Sequence, residues 1–598
     1  MRQAYREERY MLSSRRPRRR GRSHVPAQSL TGCALAVVAI YGVLLATQGG
    51  LAAAQPVSAR TPVEPCAQLS TLALPSGGHV TSATDIPAAG STPAYCSVMI
   101  LVVDNSDPRG GLPGAINIGV ALPDSNWNGN YMAEGGGVYC NPITGPPTDQ
   151  LPAGYATSNT DCGHQEFALT SHWVTNPAGG LNWNRIDDFG YVAMHLMAVE
   201  SKAVIDAYYG LVPQYSFWNG CSTGGRQGLS EAQKYPTDFN GVLAGAPALS
   251  WPQFINAQLW PQLAMEWNND ELPPCKEAAV NAALQSHCRD QDGQVDGVFD
   301  PRTCNVIGIL RSLIGTSTRC DTFTATDALV VQEIWQGPRF SGSQSNLVHG
   351  FPVWFGLEPG ADMGSIPGLT LAATSGPNNG IGPQVGAPFI PTVDWYQNWL
   401  YQTPTWQYTQ ETYQQFWQDF VKSGQMFDYA LGTDNPDLRA FRDHGGKIIM
   451  WQGLADQLIF TGDSINYYNR VLYTMGGVRR TEQFFRYFLA PSVTHCAAPG
   501  PGSIAPTDPM QQVIDWVEHG HAPSVLDASG TISGQAVTRP LCPYPDPDAV
   551  YTGGDPNQAS SYKCRNTIQA TNPFYPGPRG NAGSIKWWET PRPGGRRT

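Results

Sequence analysis

Tyr215-Ser216-Phe217-Trp218-Asn219-Gly220-Cys221-Ser222-Thr223-Gly224-Gly225-Arg226-Gln227-Gly228 decides how this chain is read. Its centre, Gly220 to Gly224, fits G-x-S-x-G. Tyr215 to Trp218 reads as a short buried strand, and Arg226 to Lys234 reads as a helix. The serine therefore falls at a strand–turn–helix junction, where flanking glycines let the chain turn sharply and expose the hydroxyl. A serine hydroxyl is a weak nucleophile until a base removes its proton. The five-residue pattern alone is common in a chain of this length. A cysteine, Cys221, directly precedes the serine.

Outward from the turn, apolar runs alternate with Gly and Asn turns. Val98 to Val103, Ile116 to Leu122, Gly190 to Met194, Gly241 to Pro247 and Lys447 to Trp451 read as strands. Ala198 to Tyr209 reads as a helix. From about Leu249 to Asp437 the chain becomes rich in Trp, Pro, Gly and Gln, with little strand alternation. The expected fold class is α/β: an α/β-hydrolase core of residues 55–248 and 438–598, carrying a large lid insertion over 249–437.

The first 54 residues differ from the rest. Arg15, Arg16, Arg18, Arg19, Arg20 and Arg22 precede an apolar run from about Ala34 to Ala46, and Leu51 to Ala54 supplies small residues for cleavage. Residues 1–54 are expected to be a signal peptide, which places the mature chain in the periplasm or outside the cell, with no membrane attachment after cleavage. The whole chain carries a net charge of −11, and loss of the leader removes nine Arg and two Glu. A chain this acidic is a poor fit for nucleic acid. Cleavage also removes Cys33 and leaves an even number of cysteines, which in an exported chain implies disulfides. No C-x-x-C pair exists to suggest a metal site.

A serine nucleophile needs a histidine and an orienting acid, in the chain order Ser, Asp or Glu, His. The histidines after Ser222 are His287, His349, His444, His495, His519 and His521. His495 follows a strand-like run from Phe484, where a loop-borne catalytic histidine belongs. Asp456 follows the strand at 447–451, with Asp463 as a rival acid. In this assignment His495 takes the Ser222 proton and Asp456 holds the imidazole. An oxyanion needs two backbone N–H donors. Thr223 is expected to supply one. Gly136, with Gly135 close behind, is expected to supply the other from the loop after Tyr131. Cys221 abuts Ser222 and Cys496 abuts His495, so a Cys221–Cys496 disulfide would staple the turn to the histidine loop.

Together these motifs resemble the tannase/feruloyl esterase family. They are Cys221-Ser222, Asp456, His495-Cys496, Trp127-Asn128-Gly129, Gly245-Ala246-Pro247-Ala248 and Gly453-Leu454-Ala455-Asp456, within a span of about 63 to 570. The resemblance implies a secreted serine carboxylic ester hydrolase working through an acyl-enzyme on small aromatic-acid esters such as gallates or hydroxycinnamates. It implies a structural Ca²⁺ in the lid, held by Asp292, Gln294, Asp296 and Val298. Arg289 stands where the family has its first Asp, and Asp290 is the candidate substitute. Closely spaced carboxylates around glycines suit a hard cation in their own right. Further bridges are expected for Cys288–Cys304, Cys542–Cys564 and Cys66–Cys96, leaving Cys140–Cys162 and Cys275–Cys320 by elimination. Trp354, Phe355, Trp395, Tyr396 and Trp399 are candidates to line an acyl pocket, although each taken singly reads more readily as a core residue. An acyltransferase, an exported peptidase and a non-catalytic binding protein are the alternatives from other classes.

Overall fold

The computed structural model describes residues 60–109, 111–288, 298–340, 350–377, 381–497, 503–545 and 548–565. The signal segment expected over 1–54 lies outside the described residues.

A nine-stranded sheet organises the chain: β1 (His79–Ile86), β2 (Tyr95–Asp104), β3 (Gly114–Pro123), β4 (Tyr131–Glu134), β5 (Ala156–Thr160), β6 (Ser216–Cys221), β7 (Gly241–Gly245), β8 (Lys447–Gly453) and β9 (Phe485–Ala490), in the order β1-β2-β3-β5-β4-β6-β7-β8-β9. The β1-β2-β3-β5 pairs are antiparallel, and every pair from β5-β4 to β8-β9 is parallel. In β2, Cys96, Val98, Ile100 and Val102 are buried while their neighbours are more open, as in an antiparallel strand with one wetter face. In β7 every residue is buried, and β8 is buried from Ile448 to Gly453. Continuous burial of this kind marks strands covered by helices on both faces. Such strands gain roughly 1.5–3 kcal/mol per fully buried aliphatic side chain.

Helix α1 (Ala193–Tyr209) precedes β6, and α2 (Thr223–Lys234) follows it directly. The run Gly190 to Met194, expected as a strand, is helical instead. A π-helical turn over Asp188–Val192 leads into α1. A short apolar run cannot be told from a buried helix by periodicity. The wide turn also leaves carbonyls open, and the guanidinium of Arg226 takes two of them, Nη1 to Gly190 O at 3.1 Å and Nη2 to Phe189 O at 3.0 Å. The polar strand β5 was invisible to apolar patterning. Its Thr157 and Ser158 are fully buried because the ladders to β3 and β4 satisfy its backbone.

Between β7 and β8 no strand of the described residues joins the main sheet. This stretch carries helices Trp251–Ala257, Trp260–Asn268, Pro274–His287, Val306–Ser312, Ala325–Gln336 and Tyr413–Leu431, with two short ribbons. Its aromatics are core residues. Trp354, Phe355, Trp395, Tyr396 and Trp399 are at most 8% exposed. Trp395 stacks on Trp399 at 4.5 Å, and Trp399 meets Tyr139 and Phe189 of the core. They are packed as core residues, the reading the sequence favoured for each of them singly. After β9 come helix α3 (Pro509–His519), a three-stranded sheet of β10 (Ile504–Pro506), β11 (Leu526–Ile532) and β12 (Gln535–Leu541), and a ribbon of β13 (Asp548–Tyr551) with β14 (Tyr562–Arg565).

All six disulfides form: Cys66–Cys96, Cys140–Cys162, Cys221–Cys496, Cys275–Cys320, Cys288–Cys304 and Cys542–Cys564. No helix among the described residues is long and apolar enough to cross a membrane.

Several carboxyls are buried without a cation bonded to them. Burial pushes Asp463 and Glu333 up to about 7 and Glu358 up to about 8. In the unfolded chain such groups titrate near about 4. Between about 4 and 8 the folded state therefore binds more protons than the unfolded state, and stability falls as pH rises through that window. Tm should be higher at about pH 5 than at about pH 8. A Tm that rises between those values would contradict this.

Candidate active site

Ser222 has φ 63° and ψ −125°, a conformation held against steric strain. Its N–H donates to Gly245 O at 2.9 Å, and its carbonyl accepts from Arg226 N at 3.0 Å and Ala248 N at 3.1 Å. The neighbouring strand β7 and the segment after it thus hold the turn from two sides. Gly220 is required by space: a Cβ there would sit 2.3 Å from Gly224 O. Gly224 is confined less severely, with Gly135 and the Gly136 carbonyl 3.1 Å from where its Cβ would stand. Trp218 closes the turn from below, its indole N–H donating to Gly224 O at 2.9 Å.

Asp456 lies just beyond β8 and is 1% exposed. Its Oδ1 accepts from Leu458 N and Ile459 N, both at 2.9 Å, and its Oδ2 accepts from Gln452 Nε2 at 2.9 Å. The same Oδ2 stands 3.0 Å from His495 Nδ1. With Nδ1–H donated to a carboxylate, Nε2 is left as the basic nitrogen. That nitrogen lies 3.6 Å from Cys496 Sγ, which is bonded to Cys221, the residue before Ser222. The His495 N–H is tied to Gln457 Oε1 at 3.0 Å. The structure thus pairs the expected acid with the expected histidine and ties the histidine loop to the residue before Ser222. Asp463 is not part of this array. It accepts from Ser250 Oγ at 3.4 Å, and burial keeps it protonated toward neutrality.

The oxyanion donors differ from expectation. Gly135 N donates to Asn219 O at 3.0 Å, and Gly136 N donates to Gln227 Oε1 at 2.9 Å. A donor already engaged within the protein is not free for a substrate, so neither glycine fills the expected role. Gly137 N and Thr223 N have no acceptor among the described residues. Thr223 opens α2, where helix N–H groups are unpaired by construction. Thr223 Oγ1 donates to Val138 O at 2.6 Å, which keeps the glycine loop against that helix end. Gln227, Gln452 and Gln457 escaped the sequence reading. Only their spacing from Ser222 and Asp456 could have marked them.

Arg226 is fully buried with no carboxylate beside it. Its guanidinium lies over Phe189 at 4.8 Å and Trp251 at 5.3 Å, and burial pushes its pKa down to about 9.

A cavity of about 340 Å³ is lined by Leu454, Ala455 and Thr494, neighbours of Asp456 and His495, and by Phe299, Glu277 and Asp362 of the insertion. Of the expected cation loop, Asp290, Asp292, Gln294 and Asp296 lie outside the described residues. Val298 is buried, and the Cys288–Cys304 disulfide closes the base of the loop. Just beyond it, Phe299 N donates to Ser492 Oγ at 3.0 Å, three residues before His495. Elsewhere His195, Glu231 and Asp238 lie close enough to share an ion. There, however, His195 Nδ1 already meets Asp238 Oδ2 at 2.6 Å, and burial with the Asp238 charge pushes the Glu231 carboxyl well up. The Lys202 ammonium, bonded to the Asp238 carbonyl, supplies the positive charge.

The model of a family described as tannase and feruloyl esterase matches residues 100–565. A probable feruloyl esterase of Arthroderma benhamiae is 35% identical over 462 residues, covering 75% of this chain and 82% of that protein. An uncharacterized esterase of Xanthomonas campestris is 28% identical over 581 residues, covering 89% of this chain and 94% of its own length. Among solved structures, a tannin acyl hydrolase from Aspergillus niger superposes with a TM-score of 0.71 at 22% identity, covering 89% of this chain and 98% of its own. Feruloyl esterase B from Aspergillus oryzae superposes with a TM-score of 0.65 at 24% identity, covering 81% and 96%.

Replacing both Cys221 and Cys496 with Ser removes the covalent tie between the turn and the histidine loop. Small displacements of reacting groups cost about 100-fold in rate. We expect kcat on an ester substrate to fall by that order, with far-UV circular dichroism unchanged. An unchanged kcat would show that the tie is dispensable.

Proposed function

The chain belongs to the tannase and feruloyl esterase family and is a carboxylic ester hydrolase, and we propose from that premise that Ser222 is the nucleophile of an acyl-enzyme mechanism on hydroxycinnamate or related aromatic-acid esters. The observation that carries this reading is the continuous linkage Asp456–His495–Cys496–Cys221–Ser222. Membership among ester hydrolases sets aside the peptidase, acyltransferase and binding-protein alternatives.

In this reading His495 Nε2 takes the Ser222 proton as Oγ bonds to the ester carbonyl carbon. The buried Asp456 carboxylate stabilises the resulting imidazolium. The former carbonyl oxygen, now negative, is met by the N–H groups of Thr223 and Gly137. Collapse of the tetrahedral species breaks the ester C–O bond. The departing alcohol takes the proton from His495, and the acyl group stays on Ser222. Water then attacks with the same base and releases the acid. The 35%-identical relative, a probable feruloyl esterase, supports a hydroxycinnamoyl group as the acyl part. Gallate esters are the second substrate to test. Six disulfides and the Arg-rich, apolar leader support export.

We further propose that the loop of Asp290, Asp292, Gln294, Asp296 and Val298 holds a structural Ca²⁺, on the strength of its oxygen donors. Bound calcium would stiffen the loop whose end is hydrogen-bonded to Ser492, and it has no part in the chemical steps.

Three measurements test this reading. Ser222→Ala should lower kcat/KM on methyl ferulate and methyl gallate by about 10⁴-fold or more. Retention of full activity would remove Ser222 from the mechanism. Gly137→Pro deletes the free N–H and should lower kcat by about 10²- to 10³-fold. Gly137→Ala keeps that N–H, and its Cβ meets nothing within 4 Å, so it should stay near wild type. Equal rates for the two variants would assign the donor elsewhere. A calcium chelator should lower Tm, with recovery on adding Ca²⁺. A Tm indifferent to the chelator would speak against the cation.

A further inference from the structure

We propose that Gln227 is a positioning residue for oxyanion stabilisation: its side-chain amide locks the glycine loop over the start of α2 and so keeps the Gly137 N–H free and aimed at the substrate oxygen. This rests on the reading of Ser222 as nucleophile.

Gln227 lies on α2, five residues past Ser222, and is 1% exposed. Its Oε1 accepts from Gly136 N at 2.9 Å. Its Nε2 points at both sulfurs of one disulfide, Cys140 Sγ at 3.4 Å and Cys162 Sγ at 3.2 Å. The orientation of the amide follows from its partners. The Gly136 N–H can only donate, and the disulfide sulfurs can only accept, weakly. A flipped amide would set donor against donor. Gln227 is therefore pinned by a covalent bridge on one side and grips the loop with the other.

The loop is also tied at Gly135 N, which donates to Asn219 O at 3.0 Å, but that bond leaves the Gly136–Gly137 peptide unheld. Gly135 packs bare against the helix, since a Cβ on it would stand 2.4 Å from Gly224 Cα. Gly137 has open space around it. The next ties are Gly137 O, which accepts from Cys140 N at 2.8 Å, and Val138 O, which accepts from Thr223 Oγ1. Glycines have wide conformational freedom, so without the bond at Gly136 N the Gly136–Gly137 peptide could rotate between the ties at Gly135 N and Gly137 O. Gln227 removes that freedom by occupying the Gly136 N–H. This satisfies a part-buried donor and leaves the following N–H as the one available for developing charge. Donors of this kind accelerate a reaction only when they need no rearrangement as the charge forms.

Gln227→Met keeps the length and approximate volume of the side chain and removes both polar contacts. Gln227→Glu keeps the acceptor for Gly136 N. Against methyl ferulate, Gln227→Met should lower kcat by about 10- to 100-fold, less than outright loss of an oxyanion donor, with KM changed by less than about threefold. Inhibition by phenylboronic acid, which forms a tetrahedral adduct on serine, should weaken in parallel with kcat/KM. Affinity for the planar product ferulate should stay constant. Gln227→Glu should fall between wild type and Gln227→Met. A purely structural role predicts a lower Tm with boronate and ferulate affinities falling together, and that pattern would overturn the proposal. So would a Gln227→Met enzyme with kcat within about twofold of wild type. If Ser222→Ala were active, the nucleophile reading would fail. If Ser222→Ala were inactive while Gln227→Met kept wild-type kcat and boronate inhibition, only the role of Gln227 would fail.

Discussion

Ser222 sits at φ 63° and ψ −125°, where an L-residue stays only when its surroundings leave no relaxed alternative. Three backbone hydrogen bonds, from and to Gly245, Arg226 and Ala248, supply that restraint. The sheet places Cys221 beside Gly245 in register, so the turn is anchored by the ladder itself. The Cys221–Cys496 bridge then joins two segments 275 residues apart in the chain. It carries the histidine loop, whose own backbone is left-handed at Cys496 and Ala497. Neither strained segment has to hold itself alone.

Much of the polar burial around this turn is solved with neutral partners. Arg226 has carbonyls and aromatic faces instead of a carboxylate. A carboxylate partner would add its own desolvation cost and a negative charge close to the site of developing negative charge. The helical segment between β7 and β8 is joined to the core in the same manner. Ser171 N donates to Asp394 Oδ1 at 3.0 Å, Trp399 Nε1 to Ser171 Oγ at 2.8 Å, and Tyr139 OH to Pro391 O at 3.1 Å. The aromatic residues of that segment complete a core shared with Tyr139, Phe189 and Trp251.

Local signals read well wherever chemistry demands a particular residue at a particular spacing. The glycines around Ser222, the acid after β8 and the histidine after β9 are of this kind, and the two cysteines beside Ser222 and His495 tied them into one site. Failures came where a residue's meaning depends on what it touches. Gly190 to Met194 looked like a strand because a buried helix and a buried strand are both simply apolar over five residues. Trp395 and Trp399 could be read as core or as pocket wall because composition does not say which side of an aromatic is covered.

The sequence by itself determined the class of fold, the strand–turn–helix around Ser222, the order of serine, acid and histidine, and the cysteines that join them. All of these are patterns within a few residues or in chain order. Which glycine N–H is free was decided only by the tertiary structure. Gly135, Gly136 and Gly137 are identical as letters, and they differ only because Asn219 O reaches the first and Gln227 Oε1 the second. Hydrogen-bond satisfaction is a property of the folded neighbourhood, and no reading of the chain alone could have assigned it.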